Sequence, residues 1–145
     1  MTVTDQQTAT VRALLAGNHS DYQQLSILID DQQDSLGYSA LLTGAFYEAV
    51  SRRFTADSTA ADVVSYVADV RSRLDEVAQA VDPLDAERLI REALGDGSTQ
   101  DIPGRASVTA KLFLLAALIA DENLDSRELD EFMTKARNNA DYLLS

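Results

Sequence analysis

Apolar residues recur along most of this chain at three- and four-residue steps, the period of helices with one buried face. Thr4 and Gln7 have the spacing of a capping box, Val11, Leu14 and Leu15 follow at helical spacing, and Gly17 stands where that helix would close. Ser20 and Gln23 repeat the box ahead of Leu25, Leu28 and Ile29. The run Leu25–Ile29 also has the length of a short strand, but the box and the polar stretch Asp30–Gln33 favour a helix. A third helix is expected from about Leu36 to Phe54, with Tyr38, Leu42, Ala45, Phe46, Ala49 and Val50 on a broad apolar stripe. Gly37, Ala40 and Gly44 form a second stripe of small residues, where another helix could approach closely.

The fourth helix starts near Ser58 or Thr59 and runs to about Val81. Its residues Val63, Val67, Val70, Leu74, Val77 and Val81 recur at steps of 4, 3, 4, 3 and 4, a heptad-like seam. Such a seam is used either inside a bundle or between two copies of a chain. Asp82-Pro83-Leu84-Asp85 breaks the chain and restarts it: Asp82 can cap, Pro83 suits the first helical position, and Asp85 can return the capping bond. Leu89, Ile90, Ala93 and Leu94 then face inward, and Gly95 ends the helix. The turn-rich stretch from Gly95 to Gly104 is expected to be a mobile loop. A sixth helix, near 106–120, carries the nine-residue apolar run Leu112–Ala120 and is expected at the centre of the fold. Asp125 with Glu128 opens the last helix, with Leu124 and Leu129 as a hydrophobic staple and Phe132, Met133, Ala136, Ala140 and Leu143 continuing inward. No alternating strand segment or long internal repeat interrupts this pattern. The expectation is an all-α, single-domain bundle of six or seven helices over residues 1–145.

Composition narrows the chemistry. The 145 residues include 24 acidic and 12 basic side chains, a formal charge of −12, and no Cys. A surface of that sign repels nucleic-acid backbones and anionic membranes. Without cysteine there are no disulfides, thiolate zinc sites or cysteine nucleophiles. Arg outnumbers Lys ten to two and Ala occurs 21 times, a usage that fits the codon bias of a GC-rich bacterial genome, with a halophile's surface as the alternative. The N-terminal stretch lacks a signal peptide's pattern, and nine apolar residues are too few for a membrane span. A cytoplasmic location is expected.

His19, the single histidine, lies in a turn between Asn18 and Ser20 and reads as an exposed turn residue rather than a general base. One histidine cannot supply the two Glu-x-x-His motifs of a di-iron bundle. Gly-x-Ser-x-Gly and phosphate-loop patterns are absent. The arginine pairs Arg52-Arg53, Arg71/Arg73 and Arg88/Arg91 suit intramolecular partners, with Glu48–Arg52 and Glu87–Arg91 at the favourable helical spacing. An acidic nucleic-acid mimic would need regularly spaced acids on one face, whereas Asp62, Asp82, Asp85, Asp125 and Glu128 sit at helix starts.

The densest polar cluster is 121–131. Asp121, Asn123 and Asp125 match the first three ligand positions of a calcium loop. The match ends at Ser126, where the turn needs Gly, and at Phe132, where a bidentate Glu belongs. The competing reading is a helix–turn–helix junction with acids near the start of the following helix. Residues 115–132, with Ile119-Ala120-Asp121 and a downstream Glu, resemble half of the repeated acidic motif of TerB-like helical domains, with Glu122 in place of the motif's Gly and no second copy. More broadly, Asp69-Val70-Arg71, Asp82-Pro83, Glu87–Arg91 and Leu118–Glu122 resemble a family of small actinobacterial helical proteins. That resemblance implies an all-α fold and brings no activity with it.

Three functions remain in view. The first is a non-enzymatic protein acting through protein contacts, possible as a homodimer, with Gly37, Ala40, Gly44, Val63, Val67, Val70 and Leu74 as the candidate interface. The second is a divalent-cation site, calcium for instance, at Asp121, Asn123 and Asp125. The third is an enzyme whose site is assembled across helices.

Overall fold

The computed structural model describes residues 3–16, 35–55, 57–73, 78–79 and 81–145. The expected segment with Leu25–Ile29, together with Gly17, His19, Leu74 and Val77, lies outside the described residues. The described chain is helical, with no strand. Its six helices are α1 (Asp5–Leu15), α2 (Ser35–Arg53), α3 (Ala60–Arg73), α4 (Pro83–Ala93), α5 (Gly104–Glu122) and α6 (Ser126–Leu144). None is long and apolar enough to cross a membrane.

Side-chain caps set most of the starts. Thr4 accepts from Gln7 N while Gln7 Oε1 accepts from Thr4 N, and Asp125 and Glu128 exchange the same pair of bonds ahead of α6. Thr59 and Asp62 form a third reciprocal pair at α3. At α4, Asp82 accepts from both Leu84 N and Asp85 N, with Pro83 at the first turn, so Asp82 satisfies two of the free N–H groups by itself. After α3, Arg71 donates to the carbonyls of Ala78 and Val81 and steers the chain toward α4.

The hub is α2, which packs against α1, α4, α5 and α6. Both of its expected stripes are buried: Tyr38, Leu42, Ala45, Phe46, Ala49 and Val50 on one side, Gly37, Ala40 and Gly44 on the other, with Leu41 sealed between them. Helices α2 and α6 run antiparallel, as the pairings of Arg52 with Phe132, Glu48 with Lys135 and Gly44 with Asn139 show. At Gly44 the two backbones nearly touch. A Cβ there would stand 2.6 Å from Ala136 O and 2.9 Å from Ala140 N. On α5, Ala110, Leu112, Leu114, Leu115, Leu118 and Ile119 are buried, while Ala116 and Ala120 reach the surface. Helix α5 packs on α1, α2 and α4.

Polar contacts tie the N-terminal part of the chain to α6. Val3 N donates to Asp141 Oδ1 at 2.8 Å, Arg137 donates to Val3 O at 2.7 Å, Asp5 pairs with Arg137, and Arg12 pairs with Asp130. The connection from α4 to α5, expected to be mobile, is tied back to α4 at three points. Arg88 holds Asp101 and Ser98 O, Arg91 holds Asp96, and Glu92 accepts from Thr99 N and Oγ1. Gly95 and Gly97 take φ of +87° and +90°, which explains glycine at both positions.

Gly44→Ala is expected to cost about 1–3 kcal/mol, because the backbone of α6 must give way. Gly104→Ala, with open space around the new methyl group, is expected to change stability by about 0.5 kcal/mol or less. Urea denaturation of the two variants beside the parent measures both.

Candidate functional site

The acidic junction between α5 and α6 forms a strut to α3. Asp121, in the last turn of α5, accepts from Arg73 Nη1 at 2.8 Å, Arg73 Nη2 at 3.0 Å and Tyr66 Oη at 3.1 Å. Arg73 also reaches Asp69 on its own helix at 2.6 Å. Arg53 lies over the rings of Tyr66 and Phe54, and those two rings meet edge to face. The Arg73 hydrogen bonds hold the Asp121 carboxyl below the usual range against the opposing effect of burial. Burial, and then the charge of Asp121, push the Tyr66 phenol upward. The hydrogen bonds from Asp121 and Asp69 push the Arg73 guanidinium upward. The cluster therefore sits as a fixed carboxylate, a fixed cation and a neutral phenol.

The three candidate cation ligands serve different ends. Asp121 faces Arg73 and Tyr66, Asn123 closes α5 in the left-handed conformation (φ 51°, ψ 52°), and Asp125 caps α6. Among the described residues, no group of three or more His, Cys, Asp or Glu stands together as a metal cage. Asp121 and Asp125 are thus each engaged within the chain, the first by Arg73 and Tyr66 and the second by Glu128 N.

The candidate interface residues face inward. Val63, Val67 and Val70 are buried between α3 and the rest of the bundle, Ala40 and Gly44 are covered by the chain itself, and Gly37 lies against the Gln7 side chain of α1. Leu74 is outside the described residues. Over its described part the heptad-like seam is therefore packed within the chain, the first of the two uses its spacing allows.

The arginines are paired within the chain. Arg52 binds Glu48 as the spacing suggests and also reaches Glu122 on α5. Arg91 binds Asp96 at 2.7 Å in place of the expected Glu87, because the glycine-rich turn after α4 brings that acid back toward the helix end. Arg73 and Tyr66 were absent from the candidate set. Their partner lies 48 and 55 residues away, and the only sequence signal was the Arg71/Arg73 pair.

Two further features are chemically distinct. An open groove of about 710 Å³ runs between the α2–α3 connection and the end of α4. Phe54, Ala60, Val63, Ala93 and Leu94 supply its apolar surface, and Ser51, Thr55, Ser58, Thr59, Arg91 and Asp96 the polar part. Separately, Thr43 and Tyr47 on α2, Glu92 on α4 and Lys111 on α5 form a half-buried polar cluster. Lys111 Nζ donates to Thr43 Oγ1 at 3.2 Å. Burial pushes the Lys111 ammonium below its ordinary range, opposed by Glu92, and pushes the Tyr47 phenol up.

No protein-family model, curated protein or solved structure matches the chain.

Asp121→Asn is expected to cost about 1 kcal/mol near neutral pH, the scale of a partly exposed charged hydrogen-bond pair. Because folding lowers the Asp121 pKa, its contribution is complete above the ordinary carboxylate range and is lost as pH falls through the folded value. The gap between parent and variant should therefore close in acid, as denaturation at a series of pH values would show. Millimolar calcium is expected to leave the thermal midpoint unchanged. A rise that disappears in Asp121→Ala would show that the junction rearranges to take the ion.

Proposed function

We propose that the protein is a non-enzymatic helical binding module, working in the cytoplasm, that grips a partner protein in the groove between the α2–α3 connection and the end of α4. The observation that carries this reading is the groove's composition. Leu94, large and apolar yet 37 % exposed, lies with Ala60 and Ala93 over the buried Phe54 and Val63, and hydroxyl side chains edge the groove. An apolar patch with a polar rim is the usual anatomy of a protein contact. The surroundings select the partner's charge. Asp57, Asp62 and Asp96 lie on or beside the groove and are exposed, within a chain of net charge −12. A segment with an apolar side chain flanked by Lys or Arg fits both features. A second copy of the chain fits neither, since two molecules at −12 repel each other and the small-residue and valine stripes are used internally.

The test is selection from a random peptide library displayed against the full chain. Enriched peptides should carry an apolar residue between basic ones and should bind more weakly as salt is raised. Leu94→Asp should weaken them by about ten-fold or more, the scale of losing one buried apolar contact. Failure to enrich any peptide, or equal binding to Leu94→Asp, would overturn the reading.

A further inference from the structure

The arginine-rich composition makes the two lysines conspicuous. An arginine stays charged in every setting, whereas a lysine amine can lose its proton when buried. Lys135 lies exposed on α6, 3.8 Å from Glu48. Lys111 is placed otherwise. It is half-buried where α2, α4 and α5 meet, its Nζ donates to Thr43 Oγ1, and Tyr47 stands one helical turn beyond Thr43 on α2. The acid nearest in effect, Glu92, is already engaged by the backbone N–H and hydroxyl of Thr99, at 2.7 and 2.6 Å. We propose that Lys111 is a site of N-acylation by small, neutral acyl thioesters.

The chemistry follows from this setting. The free amine attacks the thioester carbonyl carbon, a C–N bond forms and the C–S bond breaks. The proton lost by nitrogen leaves with the sulfur as a thiol, and the product is an amide. Partial burial favours the unprotonated amine, the nucleophilic form. It also favours the product, because acylation removes a charge from a poorly solvated place. The amide keeps one N–H, so the bond to Thr43 Oγ1 can persist after modification. Donor charge matters too: a chain at −12 repels anionic donors, so a neutral thioester reaches the amine more readily. This assignment is independent of the groove and its partner.

The experiment treats the folded full chain with the acetyl thioester of N-acetylcysteamine near neutral pH and maps acetylation by peptide mass analysis after cleavage at arginine. Lys111 should be modified several-fold faster than Lys135, and the ratio should fall to near one in concentrated urea. Glu92→Gln, whose amide oxygen can still accept from Thr99, should raise the rate at Lys111 and leave Lys135 unchanged. Equal or faster reaction at Lys135 in the folded protein overturns the proposal. A preference for Lys111 that survives urea, or an unchanged rate at Lys111 in Glu92→Gln, also overturns it, since the folded cluster would then not be its cause.

Discussion

The close contact of α2 with α6 at Gly44 is the constraint on which the bundle depends. A side chain at that position would meet the backbone of α6, so the absence of one lets Ala136 and Ala140 settle against α2. The approach places Asn139 Nδ2 3.1 Å from Gly44 O, which anchors the helices along their axes as well as across them. Interiors packed to crystal-like density pass such a constraint to their neighbours. Phe46 and Phe132 are completely enclosed, and α1, α4 and α5 lean on a surface whose shape this contact sets.

The negative charge is distributed in a way that changes its meaning. Asp62, Asp82, Asp125 and Glu128 accept from N–H groups at helix starts. Asp96, Asp101, Asp121 and Asp130 hold arginines that join separate parts of the chain. Exposed pairs of this kind contribute little individually to stability. Their geometric role is larger, because they fix the path of the α4–α5 connection and the tilt of α3 against the end of α5. Much of the acidity is therefore part of how the chain is built, and Asp62 and Asp96 serve that construction at the edge of the groove as well.

The helical architecture was legible because its signals are local. Thr4 with Gln7, Asp82 with Pro83 and Asp125 with Glu128 each announce a helix within four residues, and the apolar stripes on α2, α3 and α6 need only a period. The same locality explains the failures. Arg91 has a suitable acid at Glu87, but the turn after α4 offers Asp96. The Asp121–Arg73–Tyr66 strut joins residues that share no sequence neighbourhood, so periodicity and capping rules are blind to it. The valine seam on α3 had two physical solutions, internal packing and self-association, and no local rule chooses between them.

The polar clasp between the first described residues and the last helix has an architectural consequence. Val3 and Asp141 share a hydrogen bond although 138 positions separate them, so the two extremities of the bundle lie side by side. Adjacent extremities are what circular permutation requires. A short linker from the end of α6 to the residues ahead of α1 would leave the bundle's packing in place, and new ends could be opened in the α4–α5 connection, which is exposed over most of its length. Such a rearranged molecule would retain the α2–α6 contact while turning the order of assembly around, separating the helices that must form first from those that merely come first in the chain.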